Sequence, residues 1–373
     1  MQSIAVIGAL GKMGRGIAAL LLEHYAFEGE DFELHLIDVN QSVKPEVRQY
    51  LVDLLKRAAE KRIVDLRIKY ADREDLISNG EIIEAFLLEN IGRISFHRSI
   101  KEAEGATKIF EAALEEVDFK VDLFKQVNPK ATIFTNTSSI PIHVLNEKAS
   151  LNGRIIGFHF YNPPPMQPLM EIIALEDNAL KKEAEALAAK LKKTVVSSND
   201  HAGFIGNGHF LREVALAFEL LKDNDMATID RVTKKELVRP MGIFELIKFV
   251  GFPVVYNISK IMNQYGSFKP ELKELKKWID TSYKLELPET KGDWKEWSKR
   301  KDKQELIEKH FEKLSSDSSK EAKLAFHFLD KSAQFMEELV EEKTAKSLKD
   351  VSQVLKLGFH HLYSPDEVAH AIR

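Results

Sequence analysis

Short apolar runs alternate with amphipathic segments over the first 200 residues of the chain. Segments with a helical pattern lie between the apolar runs, at residues 16–25, 117–127 and 179–193. Strands are predicted at six apolar runs, residues 2–7, 32–38, 107–113, 131–135, 154–160 and 194–198. Strands that alternate with helices are typical of a doubly wound parallel sheet, so the pattern predicts an α/β fold for this part of the chain.

Helical patterns dominate the rest of the chain. Residues 43–103 are mostly charged and helical, which predicts a long helical excursion between two strands. After residue 200 the strand signal fades, so we predict a sheet domain at residues 1–200 and an all-α domain at residues 201–373. Within the second domain, residues 280–320 are rich in Lys, Glu, Asp and Ser with few apolar anchors, and this composition predicts a loose, solvated connection.

The helical half contains a weak internal repeat. Residues 229–246 align without gaps on residues 351–368, and Glu245 then pairs with Glu367. Amphipathic helices often resemble one another by chance, so two interpretations stay open. The half contains either a duplicated helical unit or unrelated helices with the same periodicity.

Composition narrows the class of protein. Of the 373 residues, 44% are hydrophobic and 30% charged, and the net charge is −4. This balance is typical of a globular protein and gives no reason to expect a nucleic-acid or membrane partner. There is no cysteine, which excludes disulfides and thiolate chemistry, and no metal site is predicted. We find no signal peptide and no apolar stretch of the ~18–20 residues that a membrane span needs, so we expect a cytoplasmic enzyme.

Three glycines stand between the first predicted strand and the first helix, in the loop GALGKMG. A tight strand-to-helix turn needs residues without a Cβ, and their absence lets the backbone approach a pyrophosphate at the helix N-terminus. The usual dinucleotide spacing is GxGxxG, whereas this loop is one residue longer. A plain strand-to-helix turn is the alternative. We predict a Rossmann-type site formed by the loop residues Gly8, Leu10, Gly11, Lys12, Met13 and Gly14.

Asp38 ends the second predicted strand and is the candidate for the ribose of that cofactor. A carboxylate at this position accepts both ribose hydroxyls of an adenosine and repels a 2′-phosphate, so NAD is favoured over NADP. Recognition of a 2′-phosphate would require an arginine near Asp38, and no arginine adjoins this residue in the sequence. An exposed acid at a strand end, without a ligand, is the alternative.

A histidine lies near the end of the strand predicted at 154–160. In the segment GFHFYNPPPMQPLME, His159 precedes three prolines, which cannot donate to a sheet, so we expect the chain to leave the sheet there. Ligands of open α/β sheets bind beyond the C-terminal strand ends, which places His159 at the mouth of the site. Histidine is suited to take a hydroxyl proton near neutral pH, and Glu171 beyond the prolines is the nearest acid that could orient it. A purely structural histidine is the alternative.

The residues NTSS at 136–139 follow another predicted strand, so their side chains also lie at the mouth. Ser138 can donate a hydrogen bond to a substrate oxygen or contact the nicotinamide. It can equally be a turn or capping serine that opens the next helix, and both interpretations stay open.

Together these segments resemble the L-3-hydroxyacyl-CoA dehydrogenases. The stretches IFTNTSSIPI, IGFHFYNPPPMQPLMEII and AGFIGN are similar to signature segments of that family, and FEAALEEVDFKVDLF is similar to its segment after the fourth strand. The resemblance covers residues 3–220 and continues faintly through RPMGIFELIKFVG. It implies NAD-dependent oxidation of L-3-hydroxyacyl-CoA to 3-ketoacyl-CoA, as in fatty-acid β-oxidation, or the reverse reduction, with NAD as cofactor and an acyl-CoA as substrate.

The resemblance also implies roles for individual residues. His159 would remove the 3-hydroxyl proton, and Glu171 would pair with it. Ser138 would hydrogen-bond the substrate oxygen, with Asn207 near the same site. The hydride would pass from substrate C3 to nicotinamide C4, so the protein's task is positioning and proton removal. Positions that contact the cofactor in the family are matched here by Glu115, Lys120 and Asn162.

The chain departs from the family pattern at the glycine loop, around Asn207 and in the helical half. Gly206 and Gly208 flank Asn207 where the family has larger residues, which predicts a less rigid asparagine. The helical half is longer than the single unit of the family, and the internal repeat indicates two units, as in the dehydrogenase part of multifunctional fatty-acid oxidation proteins. The family commonly forms homodimers through this domain, whereas a duplicated domain would satisfy that surface within one chain.

Residues 55–69 (LKRAAEKRIVDLRIK) are basic and could contact CoA phosphates, or form an ordinary solvated helix face. Two other functions stay open. One is an NAD-dependent dehydrogenase of a 3-hydroxy acid without CoA, and the other is a regulatory nucleotide-binding homologue that has lost turnover. Reductases with the longer glycine loop are a third possibility, but they lack the segment HFYNPPP.

Overall fold

The structure, a computed structural model, describes residues 1–29, 31–175 and 179–372. By its internal contacts the chain divides into two compact units. The sheet unit comprises Met1–Thr137 and Ile142–Val195, and the helical unit comprises Ser138–Pro141 and Val196–Arg373. The domain bounds predicted from the sequence are 1–200 and 201–373. That these two segments are separate domains stays a prediction.

One eight-stranded sheet underlies the first unit. Its strands are β1 (Gln2–Ile7), β2 (Phe32–Ile37), β3 (Ile94–His97), β4 (Lys108–Glu111), β5 (Thr132–Thr135), β6 (Ile155–Phe160), β7 (Leu169–Ile173) and β8 (Thr194–Ser198). Their spatial order is β3-β2-β1-β4-β5-β6-β7-β8. Neighbours from β3 to β6 pair in parallel, whereas β6 and β7 pair antiparallel. This confirms the predicted α/β fold with a doubly wound, mainly parallel sheet.

Two strands were not predicted. β3 lies inside residues 43–103, where the sequence predicted a long helical excursion, because four residues are too few to show a period of two. The prolines after β6 end that strand and the chain leaves the sheet at residues 161–168, as predicted, but it then returns as the antiparallel strand β7. This return forms the hairpin on which Glu171 stands.

Helices of the sheet unit cover the apolar side chains of the strands. In α2, Val47, Leu51 and Leu55 recur every four residues and are buried in the core of this unit, where α2 packs on α1 and α4. The helices described in this unit are α1 (Lys12–Glu28), α2 (Lys44–Lys61), α3 (Ile63–Lys69), α4 (Asn79–Ile91), α5 (Val117–Phe124), α6 (Ile142–Lys148) and α7 (Leu180–Lys190), with short 3₁₀ turns at Gln41–Val43 and Ile100–Ala103.

The helical unit has its own apolar core, formed between its helices. Those described are α8 (Phe204–Leu220), α9 (Met226–Arg231) with a π-helical turn at Val232–Glu236, α10 (Ile243–Val250), α11 (Phe252–Tyr265), α12 (Lys273–Asp280), α13 (Trp294–Trp297), α14 (Lys303–Ser315), α15 (Lys320–Glu341), α16 (Leu348–Gly358) and α17 (Pro365–Ile372). The expectation of a loose connection at 280–320 is wrong for α14. Its Ile307, Phe311 and Leu314 are buried in this core, because one apolar residue per helical turn suffices to anchor a charged helix.

Two segments of the helical unit share their helix bounds when 122 is added to the residue number. α9 with its π-helical turn then matches α16 from end to end (226 to 348, 236 to 358), and α10 matches α17 (243 to 365, 250 to 372). Lys234 Nζ lies 2.9 Å from Glu245 Oε2, and the equivalent Lys356 Nζ lies 3.2 Å from Glu367 Oε2. Whether the two segments are copies of one unit stays a prediction.

Candidate active site

The turn between β1 and α1 leaves no space for side chains at two of its glycines. Gly8 has a φ of 74°, and a Cβ there would lie 2.5 Å from the carbonyl oxygen of Ala112. A Cβ on Gly14 would overlap the carbonyl oxygen of Gly8, to which the amide of Gly11 donates over 3.1 Å. The loop therefore presents backbone at the start of α1, which is the cradle that a pyrophosphate needs.

The carboxylate of Asp38 is fixed beside this loop by two backbone amides. Leu10 N donates to Oδ2 over 3.1 Å, and Asn40 N donates to Oδ1 over 2.9 Å. In this longer loop, the backbone amide of Leu10 is therefore bound by Asp38, and the side chain of Leu10 is buried. Lys12 is exposed and Met13 half-buried at the start of α1. A cradle that a Cβ would fill, with a carboxylate beside it at the end of β2, fits a dinucleotide with a free ribose diol.

A buried ion-pair network lies at the ends of β4 and β5. Lys120 Nζ lies 2.5 Å from Glu111 Oε1 and 3.4 Å from Glu115 Oε2. The hydroxyl of Thr135 donates to Glu111 over 2.6 Å, and that of Thr137 donates to Glu115 over 2.7 Å. Burial by itself would lower the pKa of Lys120, but the two carboxylates outweigh it and raise that pKa, so the lysine stays charged. Because its side chain is 1% exposed, Lys120 is placed to hold Glu115 in position.

His159 and Glu171 form a buried pair across the β6–β7 hairpin. The two residues are direct partners in the antiparallel register, and His159 Nδ1 lies 3.0 Å from Glu171 Oε2. Residues opposite each other on antiparallel strands bring their side chains together, which explains a contact between positions twelve apart in the chain. His159 is 7% exposed and Glu171 is 0% exposed. With Nδ1 held by a carboxylate, Nε2 is the ring nitrogen that can accept a proton from another group.

Tyr161 is a third member of this group, and the sequence analysis missed it. Its hydroxyl donates to Oε2 of Glu171 over 2.8 Å, and its ring centroid lies 4.9 Å from that of His159. Burial and, after it, the charge of Glu171 raise the pKa of Tyr161 well above its usual value. The only signal in the sequence is the spacing, because residues two apart on an extended strand point to the same side.

Asn136 connects the ends of β5 and β6. Its backbone N–H donates to the backbone carbonyl oxygen of Glu111 over 2.7 Å, and its side-chain Oδ1 accepts from the backbone N–H of Phe160 over 2.8 Å. The segment predicted to lie at the mouth of the sheet therefore helps to hold the strand that carries His159. Asn162 is exposed beyond the end of β6.

The turn between β6 and β7 is held from two sides. A Cβ on Gly16 of α1 would lie 2.8 Å from Pro164 Cδ and 3.1 Å from Pro165 Cδ, so the helix and the prolines are already in close contact. Lys193 Nζ donates to the carbonyl oxygens of Pro164, over 2.5 Å, and Gln167, over 2.7 Å. Burial lowers the pKa of Lys193 to about 8. The turn that separates His159 from Glu171 is thus tied to the helix of the glycine loop.

Ser138 and Asn207 are brought together in the helical unit. Asn207 Nδ2, on the first turn of α8, donates to the carbonyl oxygen of Ser138 over 2.8 Å. Asn207 lies within a helix and is hydrogen-bonded, and the expectation that its flanking glycines loosen it stays a prediction. Gly208 has a packing reason, since a Cβ there would lie 3.0 Å from Leu339 Cδ2 of α15.

The predicted site residues thus form four groups. The sheet unit holds the glycine loop with Asp38, Glu115 with Lys120, and His159 with Glu171, while the helical unit holds Ser138 with Asn207. Among the described residues, no helix is long and apolar enough to cross a membrane.

Comparison with known proteins identifies the family. Residues 3–201 match the family described as 3-hydroxyacyl-CoA dehydrogenase, NAD binding domain. Residues 203–293 match the 3-hydroxyacyl-CoA dehydrogenase C-terminal domain. The second match includes α8 to α12 and ends before α13, so the segment containing α16 and α17 lies outside it.

Curated relatives and solved structures agree with these matches. A probable 3-hydroxybutyryl-CoA dehydrogenase of Bacillus subtilis is 30% identical over 273 residues, which are 70% of this chain and 86% of that protein. A 3-hydroxybutyryl-CoA dehydrogenase of Mycobacterium tuberculosis is 26% identical over 70% of this chain and 86% of its own.

The fold is shared with solved dehydrogenases. The crystal structure of 3-hydroxybutyryl-CoA dehydrogenase from Escherichia coli K12 has a TM-score of 0.69 at 18% identity, covering 100% of this chain and 91% of the other. The (S)-3-hydroxybutyryl-CoA dehydrogenase of Ralstonia eutropha has a TM-score of 0.59 at 23% identity, covering 76% and 95%. The predictions of an NAD-binding fold and of an NAD-dependent oxidoreductase are confirmed at the level of the family. The chain belongs to the 3-hydroxyacyl-CoA dehydrogenase family.

Proposed function

We propose that this chain interconverts L-3-hydroxyacyl-CoA and 3-ketoacyl-CoA esters, with His159 as the general base. The observation that carries the proposal is the buried pair of His159 and Glu171 in the unit that also contains the glycine loop and Asp38. The names of the relatives, 3-hydroxybutyryl-CoA dehydrogenases, support a short acyl chain.

In oxidation, Nε2 of His159 takes the proton of the 3-hydroxyl group as the C3–O bond becomes a carbonyl. Glu171 holds Nδ1, selects the tautomer in which Nε2 is unprotonated, and stabilises the imidazolium that forms. Bound NAD supplies the hydride acceptor for C3. Reduction runs through the same groups, with His159 returning the proton to the carbonyl oxygen.

The remaining roles rest on the family resemblance. Ser138 would donate its hydroxyl to the substrate oxygen, and Asn207 would hold the main chain at Ser138, as its 2.8 Å hydrogen bond supports. Glu115 and Lys120 would contact the cofactor, and Lys120 would also hold Glu115 through their 3.4 Å ion pair. Leu10, Gly11, Lys12, Met13 and Asn162 stay predicted cofactor contacts.

The test is acetoacetyl-CoA-dependent oxidation of NADH, followed at 340 nm, for the wild type and His159→Ala. A positioned base contributes ~10²–10⁴-fold, so the variant should lose turnover by that factor while NADH still binds. His327→Ala on α15 is the matched control, since His327 is exposed and lies in the helical unit. An inactive wild type, or activity only with free acetoacetate, would refute CoA esters as substrates. A fully active His159→Ala would refute the base.

We also propose that the helical unit contains two copies of one motif and that the second copy takes the place of a partner subunit. The support is the constant offset of 122 residues between helix bounds and the pair of equivalent ion pairs. Light scattering after gel filtration should then give a monomer of 42.5 kDa. A stable species of twice that mass would refute the replacement and favour the homodimer expected from the family.

A further inference from the structure

One oxygen atom of Glu171 receives two contacts. His159 Nδ1 lies 3.0 Å from Oε2, and the hydroxyl of Tyr161 donates to the same Oε2 over 2.8 Å. His159 lies on β6, and Tyr161 is the first residue after the end of that strand. Glu171 lies on β7, so the three side chains meet on one side of the hairpin.

Toward Glu171, the hydroxyl of Tyr161 acts as a donor. Burial and the negative charge of Glu171 raise the pKa of its phenol well above the usual value, so the hydroxyl keeps its proton throughout the working range of an enzyme. A hydrogen bond from a neutral donor to a carboxylate stabilises the charged form of the acid and withdraws electron density from the oxygen it contacts.

The hydrogen bond therefore competes with His159 for the same oxygen. Without it, Oε2 would carry more negative charge and would bind an Nδ1 proton more strongly, which favours the imidazolium over the neutral ring. Among the contacts described for this hairpin, the titratable groups that face one another are His159 and Tyr161 on the β6 side and Glu171 on β7. Lys193 is bound to the carbonyl oxygens of the connecting turn.

We propose that Tyr161 is a positioning residue that orients Glu171 and weakens its pull on His159, so that the imidazole remains neutral and able to accept a proton at lower pH. The inference rests on the proposed function, since it assigns a task to the same base. Phenylalanine at this position would keep the ring beside His159 and remove only the hydroxyl, which makes Tyr161→Phe a precise test of the hydrogen bond.

The experiment measures kcat/KM as a function of pH in both directions, with L-3-hydroxybutyryl-CoA and NAD and with acetoacetyl-CoA and NADH. Oxidation needs the neutral imidazole and reduction needs the protonated one. Tyr161→Phe should move the acidic limb of oxidation and the basic limb of reduction to higher pH by about 0.5–1 unit, the equivalent of one neutral hydrogen bond. A loss of packing would lower kcat/KM at every pH and leave both limbs in place.

Tyr70→Phe is the matched control. The hydroxyl of Tyr70 also donates to a glutamate, Glu89, over 2.6 Å, but this pair connects α3 and α4 away from the hairpin, so both limbs should stay in place. A second comparison repeats Tyr161→Phe in a Glu171→Gln background. The shift should vanish there, because it acts through the carboxylate.

Unmoved limbs in Tyr161→Phe, or limbs that move to lower pH, would overturn the inference. A shift that persists in the Glu171→Gln background would also overturn it, since the effect would then not pass through Glu171. The proposed function fails separately: it requires that His159→Ala be inactive, whatever the profile of Tyr161→Phe. An inactive His159→Ala together with unmoved limbs in Tyr161→Phe therefore refutes only the role of the tyrosine.

Discussion

Replacing Gly16 by alanine tests whether the contact between α1 and the proline turn positions His159 and Glu171. The new Cβ would lie 2.8 Å from Pro164 Cδ and 3.0 Å from Pro164 Cγ. Ordinary carbon contacts begin near 3.4 Å, so helix and turn must separate by about 0.6 Å. Proline rings cannot rotate out of the way, so the turn itself has to move.

We expect Gly16→Ala to lower both the catalytic efficiency and the free energy of unfolding. A misplacement of 1 Å near reacting groups can cost ~10²-fold, so about 0.6 Å should lower kcat/KM by roughly tenfold. Overpacking typically costs ~1–3 kcal/mol, while alanine in place of glycine inside a helix returns ~1 kcal/mol, so the free energy of unfolding should fall by no more than ~2 kcal/mol. The added methyl group faces the prolines, so we expect a smaller effect on NADH binding than on turnover.

The assay combines steady-state kinetics with acetoacetyl-CoA, NADH titration by fluorescence, and urea unfolding. Gly105→Ala is the matched control, because no atom lies within 4 Å of a Cβ at that position. Wild-type kcat/KM in Gly16→Ala would show that the contact does not position the pair. A loss of NADH affinity with unchanged kcat would assign Gly16 to the cofactor site instead.

Three further predictions follow from the site and the buried charges. Glu171→Gln should lower kcat/KM by ~10–150-fold, the value of a hydrogen bond to a charged group, and a variant with normal turnover would refute the pair. Asp38→Asn should raise the KM for NAD by ~10-fold and narrow the preference over NADP; equal kinetics with both cofactors in the wild type would contradict the assignment. Burial lowers the pKa values of His209 and His361 below 6.5. For Glu213, burial would raise the pKa, but the nearby charge of Arg239 outweighs burial and lowers the pKa from 4.5 to about 2. The unfolded chain therefore binds more protons than the folded chain at acidic pH, so Tm should fall as the pH drops below 6.5 and again below 4.5. A Tm that stays constant between pH 7 and 4 would contradict this prediction.

Local motifs made much of the site predictable. The glycine loop and Asp38 could be read because a strand, a tight turn and a helix follow one another within 38 residues, and each step has a recognisable residue type. His159 could be placed at the end of a strand because prolines terminate it. The confirmed fold class has the same origin, since alternating strand and helix patterns are themselves local.

Errors arose where local patterns are weak. β3 was missed because its four residues, Ile94–His97, are shorter than any diagnostic period. α14 was read as solvated because three buried positions were outweighed by the charged residues between them. For Gly208, only the structure shows a packing reason, since its lack of a Cβ lets α15 approach α8.

The sequence by itself predicted the alternation of strands and helices in the first unit, the backbone cradle at the start of α1, and His159 with Glu171 as a candidate pair. Only the tertiary structure decided how these groups are aimed. The antiparallel register of β6 and β7 sets Glu171 opposite His159, brings the Tyr161 hydroxyl to the same oxygen, and presses the proline turn against Gly16. The physical reason is that hydrophobic periodicity and turn chemistry act over a few neighbouring residues, whereas cross-strand pairing and close packing join residues distant in the chain.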